Sequence, residues 1–187
     1  MMNKTIYLFR HGQTDWNLAG KMQGHRDIPL NETGKNEAYQ LKEKIDLILK
    51  DSFTYEIHSS DLSRAFETAK VSFPDTDIRT NQGLREIDVG DMEEKSRDSV
   101  SFSFQNPDPN YRFPGGESIR EHRQRIYSTI EEILRTDKEV IFISTHGGSM
   151  ARFLEQTLNY QPKKIKNCEL VHIERIDQEY YFKGYLS

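Results

Sequence analysis

Residues Val140–Ser144 read VIFIS, an apolar run with no polar residue before its last position. A strand of this kind must be buried on both faces, the pattern of a parallel sheet covered by helices on either side. It runs directly into Thr145-His146-Gly147-Gly148, after which Met150, Phe153, Leu154 and Leu158 recur at helical spacing. The same order, strand then helix, repeats along the chain. Thr5–Phe9 reads as a short buried strand, and a polar loop follows to about Leu30. From Thr33, apolar residues at Ala38, Leu41, Ile45, Ile48 and Leu49 mark a helix. Tyr55–Ser59 is a second strand, leading to a helix with Leu62, Ala65, Phe66, Ala69 and Phe73 on its apolar face. Asp61 is the expected N-cap of that helix and Pro74 its stop. Asp77–Thr80 is a third, poorer strand. Ser118 caps a long helix carrying Ile119, Ile126, Ile130, Ile133 and Leu134. Leu170–Arg175 and Tyr180–Tyr185 close the chain as a strand pair around Asp177-Gln178. The fold class expected is α/β: an open, mainly parallel sheet with helices on both faces, in three α/β/α layers.

A chain of 187 residues suits one domain, spanning residues 1–187. The formal net charge of -4 lacks the broad basic field that nucleic-acid binding needs, so no nucleic-acid partner is expected. An anionic small substrate would have to be drawn by a local cluster of cations. The start, MMNKTIYLFRHG, is too short in apolar residues for a signal peptide or a membrane span. With a single Cys, the reducing cytoplasm is the expected compartment, with no membrane partner.

In open α/β sheets, ligands bind beyond the carboxyl ends of the strands. The first strand delivers Arg10 and His11 there, the second Ser59, Ser60 and, one helical turn on, Arg64. The VIFIS strand delivers His146. A lone His after a strand is usually a loop residue with one hydrogen bond. Two, each flanked by Gly after an apolar strand and joined by two Arg, make sense together for phosphate chemistry. A guanidinium binds phosphate through a planar fork and neutralises its oxygens. A neutral imidazole can attack phosphorus, provided that its other N–H is held by an acceptor such as a backbone carbonyl. A carboxylic acid must then protonate the leaving oxygen, and Glu86 is the candidate. Taken alone, Arg64 would be a surface charge and Glu86 carries almost no signal.

The motifs are more specific than the spacing. Leu8-Phe9-Arg10-His11-Gly12-Gln13-Thr14 with Asn17 resembles the signature of the histidine phosphatase, or phosphoglycerate mutase-like, superfamily. The run Gln23-Gly24-His25-Arg26-Asp27-Ile28-Pro29-Leu30-Asn31-Glu32-Thr33-Gly34 is similar to that family's next block. Ser59-Ser60-Asp61-Leu62-Ser63-Arg64-Ala65, Leu84-Arg85-Glu86-Ile87-Asp88-Val89-Gly90, Pro114-Gly115-Gly116-Glu117-Ser118 and Thr145-His146-Gly147-Gly148 follow in family order. The resemblance covers roughly residues 5–155. It implies that His11 is the nucleophile and that Arg10, Arg64 and His146 hold the phosphoryl group. Glu86 would be the proton donor and then the base. Thr14, Asn17, Gln23, Gly24 and the Gly147 N–H would bind substrate. It implies a small phosphorylated substrate, no metal and no cofactor.

One position departs from the family pattern: Glu94 stands where Gly is usual, which implies a differently shaped loop beside Glu86. Segment 91–117, with Phe102, Phe104, Tyr111 and Phe113, is expected to cover the phosphate pocket. Only sixty positions separate Glu86 from His146, fewer than in the family's mutases. The expected activity is therefore a phosphomonoesterase, with a phosphoglycerate mutase or a non-catalytic phosphate binder as alternatives. Rival motifs fail: Asp75-Thr76-Asp77 follows a proline, not an apolar strand, and Cys168 reads as ordinary packing.

Overall fold

The chain is described by a computed structural model covering residues 3–51, 54–99 and 107–186. Strand β1 (Lys4–Arg10) is followed by a short helix α1 (Asp15–Leu18) and by α2 (Glu32–Ile48). Next come β2 (Tyr55–Ser59), α3 (Ser63–Ser72), β3 (Ile78–Thr80) and α4 (Ile119–Ile133). The chain ends on β4 (Val140–Thr145), α5 (Gly147–Leu158), β5 (Leu170–Ile176) and β6 (Glu179–Leu186). The strands form one sheet in the order β3-β2-β4-β1-β5-β6. Strands β1 to β4 run parallel, while β5 and β6 add antiparallel pairings at one edge.

The two-residue period of a strand sends alternate side chains to opposite faces. Ile6, Leu8, Ile141 and Ile143 pack with Ile126 and Ile130 of α4 and with Met150, Phe153 and Leu154 of α5. Tyr7, Phe9, Val140 and Phe142 pack on the other face with Ala38, Leu41 and Ile45 of α2, with Ala69 of α3 and with Phe73 just after it. The expected three layers follow directly from this division. Burying each large side chain contributes about 1.5–3 kcal/mol, so the two faces hold the sheet between them. A smaller cluster, Met22, Ile87, Val89, Phe113 and Ile119, sits beside the sheet under the loops.

Local details differ from the sequence expectations at two helix starts. Helix α2 begins at Glu32, because Asn31 caps it by accepting from the Gly34 N–H at 2.9 Å. Asp61 does not cap α3. Leu62 occupies the cap position without a side-chain bond. The Asp61 carboxylate is taken instead by a two-pronged pairing with Arg85, at 2.7 and 2.6 Å, which outcompetes a backbone N–H. At the closing hairpin, Asp177 and Gln178 both have positive φ, 49° and 72°, as a tight two-residue turn requires. No helix among the described residues is long and apolar enough to cross a membrane.

The parallel register brings three strand ends level. Phe9 and Ser59 both face Ser144, and Arg10 faces Thr145. Hydrogen bonds continue past the strands, from the His11 N–H to Thr145 O at 3.0 Å and from the Ser60 N–H to Ser144 O at 2.9 Å. The loop leaving β1 then presses against the first turn of α2. A Cβ on Gly12 would lie 2.4 Å from Gly34 O, and one on Gly34 would lie 2.1 Å from Gln13 O. The contact is backbone against backbone and cannot yield. Gly34→Ala is therefore expected to cost about 1–3 kcal/mol, read as a lower urea midpoint with unchanged slope. An unchanged midpoint would mean that this loop moves freely against α2.

Candidate active site

A cavity of about 700 Å³ opens at the level strand ends. Arg10, His11, Asn17, Gln23, Gly24, Arg64, Glu86 and Gly147 all line it. Two other expected site residues lie behind the wall. Thr14 is fully buried, because its hydroxyl caps α1 by accepting from the Asn17 N–H at 3.1 Å and donates to Gln23 Oε1 at 3.0 Å. It orients Asn17 and Gln23 instead of meeting the cavity. His146 is also fully buried, edge-on to the His11 ring at 5.1 Å.

His11 follows the last residue of β1, with its Nδ1–H donating to Gly12 O at 2.7 Å. A carbonyl only accepts, so the tautomer is fixed and Nε2 carries the lone pair. Burial pushes the His11 pKa well below its ordinary value, and the charges of Arg64 and Arg10 push it further. Burial acts first on His146 too, with Arg64, His11 and Arg10 adding to it. Both imidazoles are therefore neutral in the unliganded protein. The His146 Nε2 shares a 2.9 Å bond with Ser60 Oγ, and its buried Nδ1 has no hydrogen-bond partner among the described residues.

Arg10 and Arg64 are 9 % and 1 % exposed. Arg10 Nη1 donates to Ile165 O at 2.8 Å, and Arg64 donates to Arg26 O and Gly24 O at 2.8 and 2.9 Å. Among the described residues neither forms an ion pair with a carboxylate, and the Nε of each is buried without a partner. Burial lowers both pKa values to about 10, so both stay charged at neutral pH. Two desolvated cations bound only to neutral carbonyls form a site for an anion.

The Glu86 carboxyl is fixed by backbone. Oε1 accepts from the Ile87 N–H at 3.0 Å and Oε2 from the Gly148 N–H at 2.9 Å. A Cβ on Gly148 would lie 2.4 Å from Glu86 Oε1, so only glycine admits the carboxyl there. That role was readable only as the second half of a Gly-Gly pair. Asn167, from the loop before β5, donates to His11 O at 2.9 Å, and Arg97 also lines the cavity. Neither carried a sequence signal. Of the aromatics in segment 91–117, Phe113 lines the cavity and Tyr111 packs on it at 5.1 Å. Phe102 and Phe104 lie outside the described residues. Glu94 has φ +70°, a conformation glycine adopts freely, so the loop keeps a glycine-type turn without the glycine. Among the described residues, no group of three or more His, Cys, Asp or Glu is placed to hold a metal ion.

The buried imidazoles link the site to stability. His11, His122 and His146 have folded pKa values below their unfolded value near 6.5. Below that pH the unfolded chain binds more protons, so their contribution is intact above about 6.5 and is lost as the pH falls further. Each imidazole can remove up to about 1.4 kcal/mol per pH unit. Urea midpoints measured from pH 7 to pH 5 are expected to fall, and to fall less steeply in His122→Leu. A flat profile would show that these imidazoles titrate as they do in the unfolded chain.

Residues 6–185 match the sequence profile of the histidine phosphatase superfamily, branch 1. The chain is 32 % identical over 163 residues to phosphoglycerate mutase-like protein 4 of Arabidopsis thaliana, covering 81 % of this chain and 70 % of that one. It is 28 % identical to a probable phosphoglycerate mutase of Salmonella choleraesuis, over 97 % of this chain and 89 % of the relative. A solved mycobacterial glucosyl-3-phosphoglycerate phosphatase in complex with VO3 shares the fold, with a TM-score of 0.84 at 23 % identity. That match covers 97 % of this chain and 98 % of the mycobacterial one. The level strand ends, the paired Arg and His and the match over almost the whole chain agree: the protein belongs to branch 1 of the histidine phosphatase superfamily.

Proposed function

We propose that the protein is a metal-independent phosphomonoesterase that works through a phosphohistidine on His11. The observation that carries this reading is the pairing of His11 with the two guanidiniums. Its Nδ1–H is committed to Gly12 O, which leaves Nε2 unprotonated beside two buried cations that form no direct ion pair with a carboxylate among the described residues. A phosphate ester dianion supplies the missing charge. Nε2 attacks phosphorus, the bond to the leaving oxygen breaks, and Glu86 gives that oxygen its proton. The Glu86 carboxylate then takes a proton from water, whose oxygen displaces His11 from phosphorus. One ester and one water become an alcohol and inorganic phosphate. Arg10 and Arg64 hold the phosphoryl oxygens throughout. His146 binds a proton once the phosphate dianion is in place, and its unpartnered Nδ1 supports a role as donor to a non-bridging oxygen.

The names of the curated relatives favour a second reading, in which the phospho-enzyme returns the group to another hydroxyl. Two features support water as the acceptor. Segment 91–117 is short, and the Glu86 side chain is 20 % exposed, so solvent reaches the group that must activate it. With 3-phosphoglycerate and 2,3-bisphosphoglycerate supplied together, hydrolysis is expected to exceed isomerisation. A high ratio of isomerisation to hydrolysis would establish the mutase instead.

The phospho-enzyme is tested by a rapid alkaline quench with labelled substrate, since phosphohistidine is lost in acid. Label is expected on the His11 peptide and absent from His11→Ala, whose activity falls to background. Label on Ser59, Ser60 or Cys168 would overturn the mechanism. Activity is expected to survive exhaustive chelation, because the guanidiniums supply the charge neutralisation. Glu86→Gln is expected to slow alkyl phosphates by roughly 10²–10⁴-fold. It should slow p-nitrophenyl phosphate far less, as that leaving group needs little protonation. An equal deficit on both substrates would remove Glu86 from the role of acid.

A further inference from the structure

Behind Glu86 lies a pair of buried polar residues that the reaction above does not use. His122, on α4, is 1 % exposed and reaches the cavity wall. Its Nε2 is 3.0 Å from Ser149 Oγ and 3.8 Å from Glu86 Oε1. Ser149, in the first turn of α5, is fully buried. Its hydroxyl has two acceptors in reach, Arg85 O at 3.0 Å and Glu86 Oε1 at 3.5 Å. A hydroxyl has one proton and can serve only one acceptor at a time. The nearer one, the carbonyl, holds it here. Whichever acceptor is served, the Ser149 proton points away from His122, so the His122 Nε2 must be the donor of their bond. The imidazole tautomer is thereby fixed, and the Ser149 oxygen is anchored while its proton is free to swing.

We propose that Ser149 and His122 are positioning residues for Glu86, in which the Ser149 hydroxyl swings from Arg85 O to Glu86 Oε1 when the carboxyl gives up its proton, while the His122 Nε2–H holds the Ser149 oxygen in place. The proposal rests on the reading of Glu86 as the proton donor. As a neutral acid, Glu86 makes little demand on the hydroxyl, which stays on the carbonyl. As a carboxylate it is a strong acceptor, and a third donor joins the N–H groups of Ile87 and Gly148. The swing stabilises the carboxylate after proton transfer and so tunes the proton affinity of the group that must act first as acid and then as base.

The surroundings keep His122 in the neutral, single-donor form that this requires. Arg123 and Arg125 face it from its own helix, Arg152 from α5, and His25 and Glu86 from the loops. Burial foremost, and then these cations, hold its pKa well below the ordinary value. Arg123 and Arg152 are themselves paired with Glu155, and Arg125 with Glu117. The Glu86 carboxyl also lies in the fields of Arg10, Arg64 and Arg152. None of these groups is altered by changes at Ser149.

The test is the pH profile of kcat/KM on an alkyl phosphate, which reports the steps up to phosphoryl transfer and not the later hydrolysis of the phospho-enzyme. The descending limb that disappears in Glu86→Gln belongs to Glu86, because phosphoryl transfer to His11 needs that carboxyl protonated. Ser149→Ala keeps the helix but removes a donor to the carboxylate, so the limb should move to higher pH by on the order of one unit. His122→Leu should move it in the same direction, and His122→Gln, which retains a side-chain N–H, should restore it. Profiles are read only over the pH range in which each variant is fully folded by circular dichroism, and within that range a loss of stability alone leaves the limb in place. An unmoved limb in Ser149→Ala overturns the swing, and equal shifts in both His122 variants overturn the part assigned to His122. If the wild type has no limb that depends on Glu86, the phosphatase reading fails and this proposal fails with it.

Discussion

The constraint on which the site depends is the burial of two guanidiniums that form no direct ion pair among the described residues. Removing a charge from water costs several kcal/mol unless other groups replace the lost solvation. Here the replacements are backbone carbonyls: Ile165 for Arg10, and Gly24 and Arg26 for Arg64. Carbonyl dipoles orient the cations but do not neutralise them. The rest of the fold keeps the pair from escaping to solvent or to a carboxylate. Arg10 ends a strand paired on both sides, and Arg64 lies in the first turn of a helix packed on the same sheet face as α2. The carboxylates whose fields reach them are held by other donors: Glu86 by the N–H groups of Ile87 and Gly148, Glu37 by the Gln13 N–H, Glu93 by the Arg26 N–H and Asp27 by the N–H and hydroxyl of Ser63. In the proposed function, the stability given up in this way would reappear as affinity for an anion of the right shape.

Much of this was legible in the sequence, for a physical reason. A buried parallel strand needs apolar residues at every position, and its end needs glycine where backbone must approach other groups closely. VIFIS followed by Thr145-His146-Gly147-Gly148, and the Leu8-Phe9 end of β1 before Arg10-His11-Gly12, show both features on the page. The two-faced core, the sheet and the wall positions of Arg10 and His11 follow from them, whereas Glu86 and Arg64 were singled out by the chemistry that a phosphate site needs and by the resemblance of their blocks to the family. The hidden part is that made by tertiary choice. Asp61 has the chemistry of a helix cap and the position for it, yet Arg85, distant in sequence, offers a stronger partner. Thr14 looks like a ligand in the motif but is consumed in capping α1 and holding Gln23. Asn167 and Ser149 act through contacts that span more than sixty positions, and no local pattern announces such contacts.

Glu94 shows the same limit from the other side. A glycine in a family pattern records a backbone conformation, and its replacement suggests that the conformation has changed. In this chain the conformation persists at φ +70°, held by the Glu94 N–H donating to Met22 O at 2.9 Å. The side chain reaches Lys21, an exposed ion pair of the kind that contributes little. The loop is therefore fixed by its backbone hydrogen bonds, and Met22, which receives one of them, belongs to the cluster that walls the cavity.

The protonation states of the site connect its resting form to its chemistry. Without an anion, His11 and His146 are driven toward the neutral form, by burial first and by the cations second. For His11 this is the form that the proposed attack on phosphorus needs. For His146 it is the wrong one if that group is to donate to a phosphoryl oxygen. A bound dianion changes the balance selectively. His11 Nδ1 already donates to Gly12 O, and in the proposed reaction its Nε2 would be spent in the bond to phosphorus, which would leave no site for an added proton there. His146 keeps a nitrogen with no partner among the described residues, and an incoming negative charge would oppose the burial and the repulsion from Arg64 and Arg10 that hold it neutral. In the proposed reaction the same electrostatic cluster would prepare a nucleophile before binding and a proton donor after it, because the fold has engaged different nitrogens of the two rings.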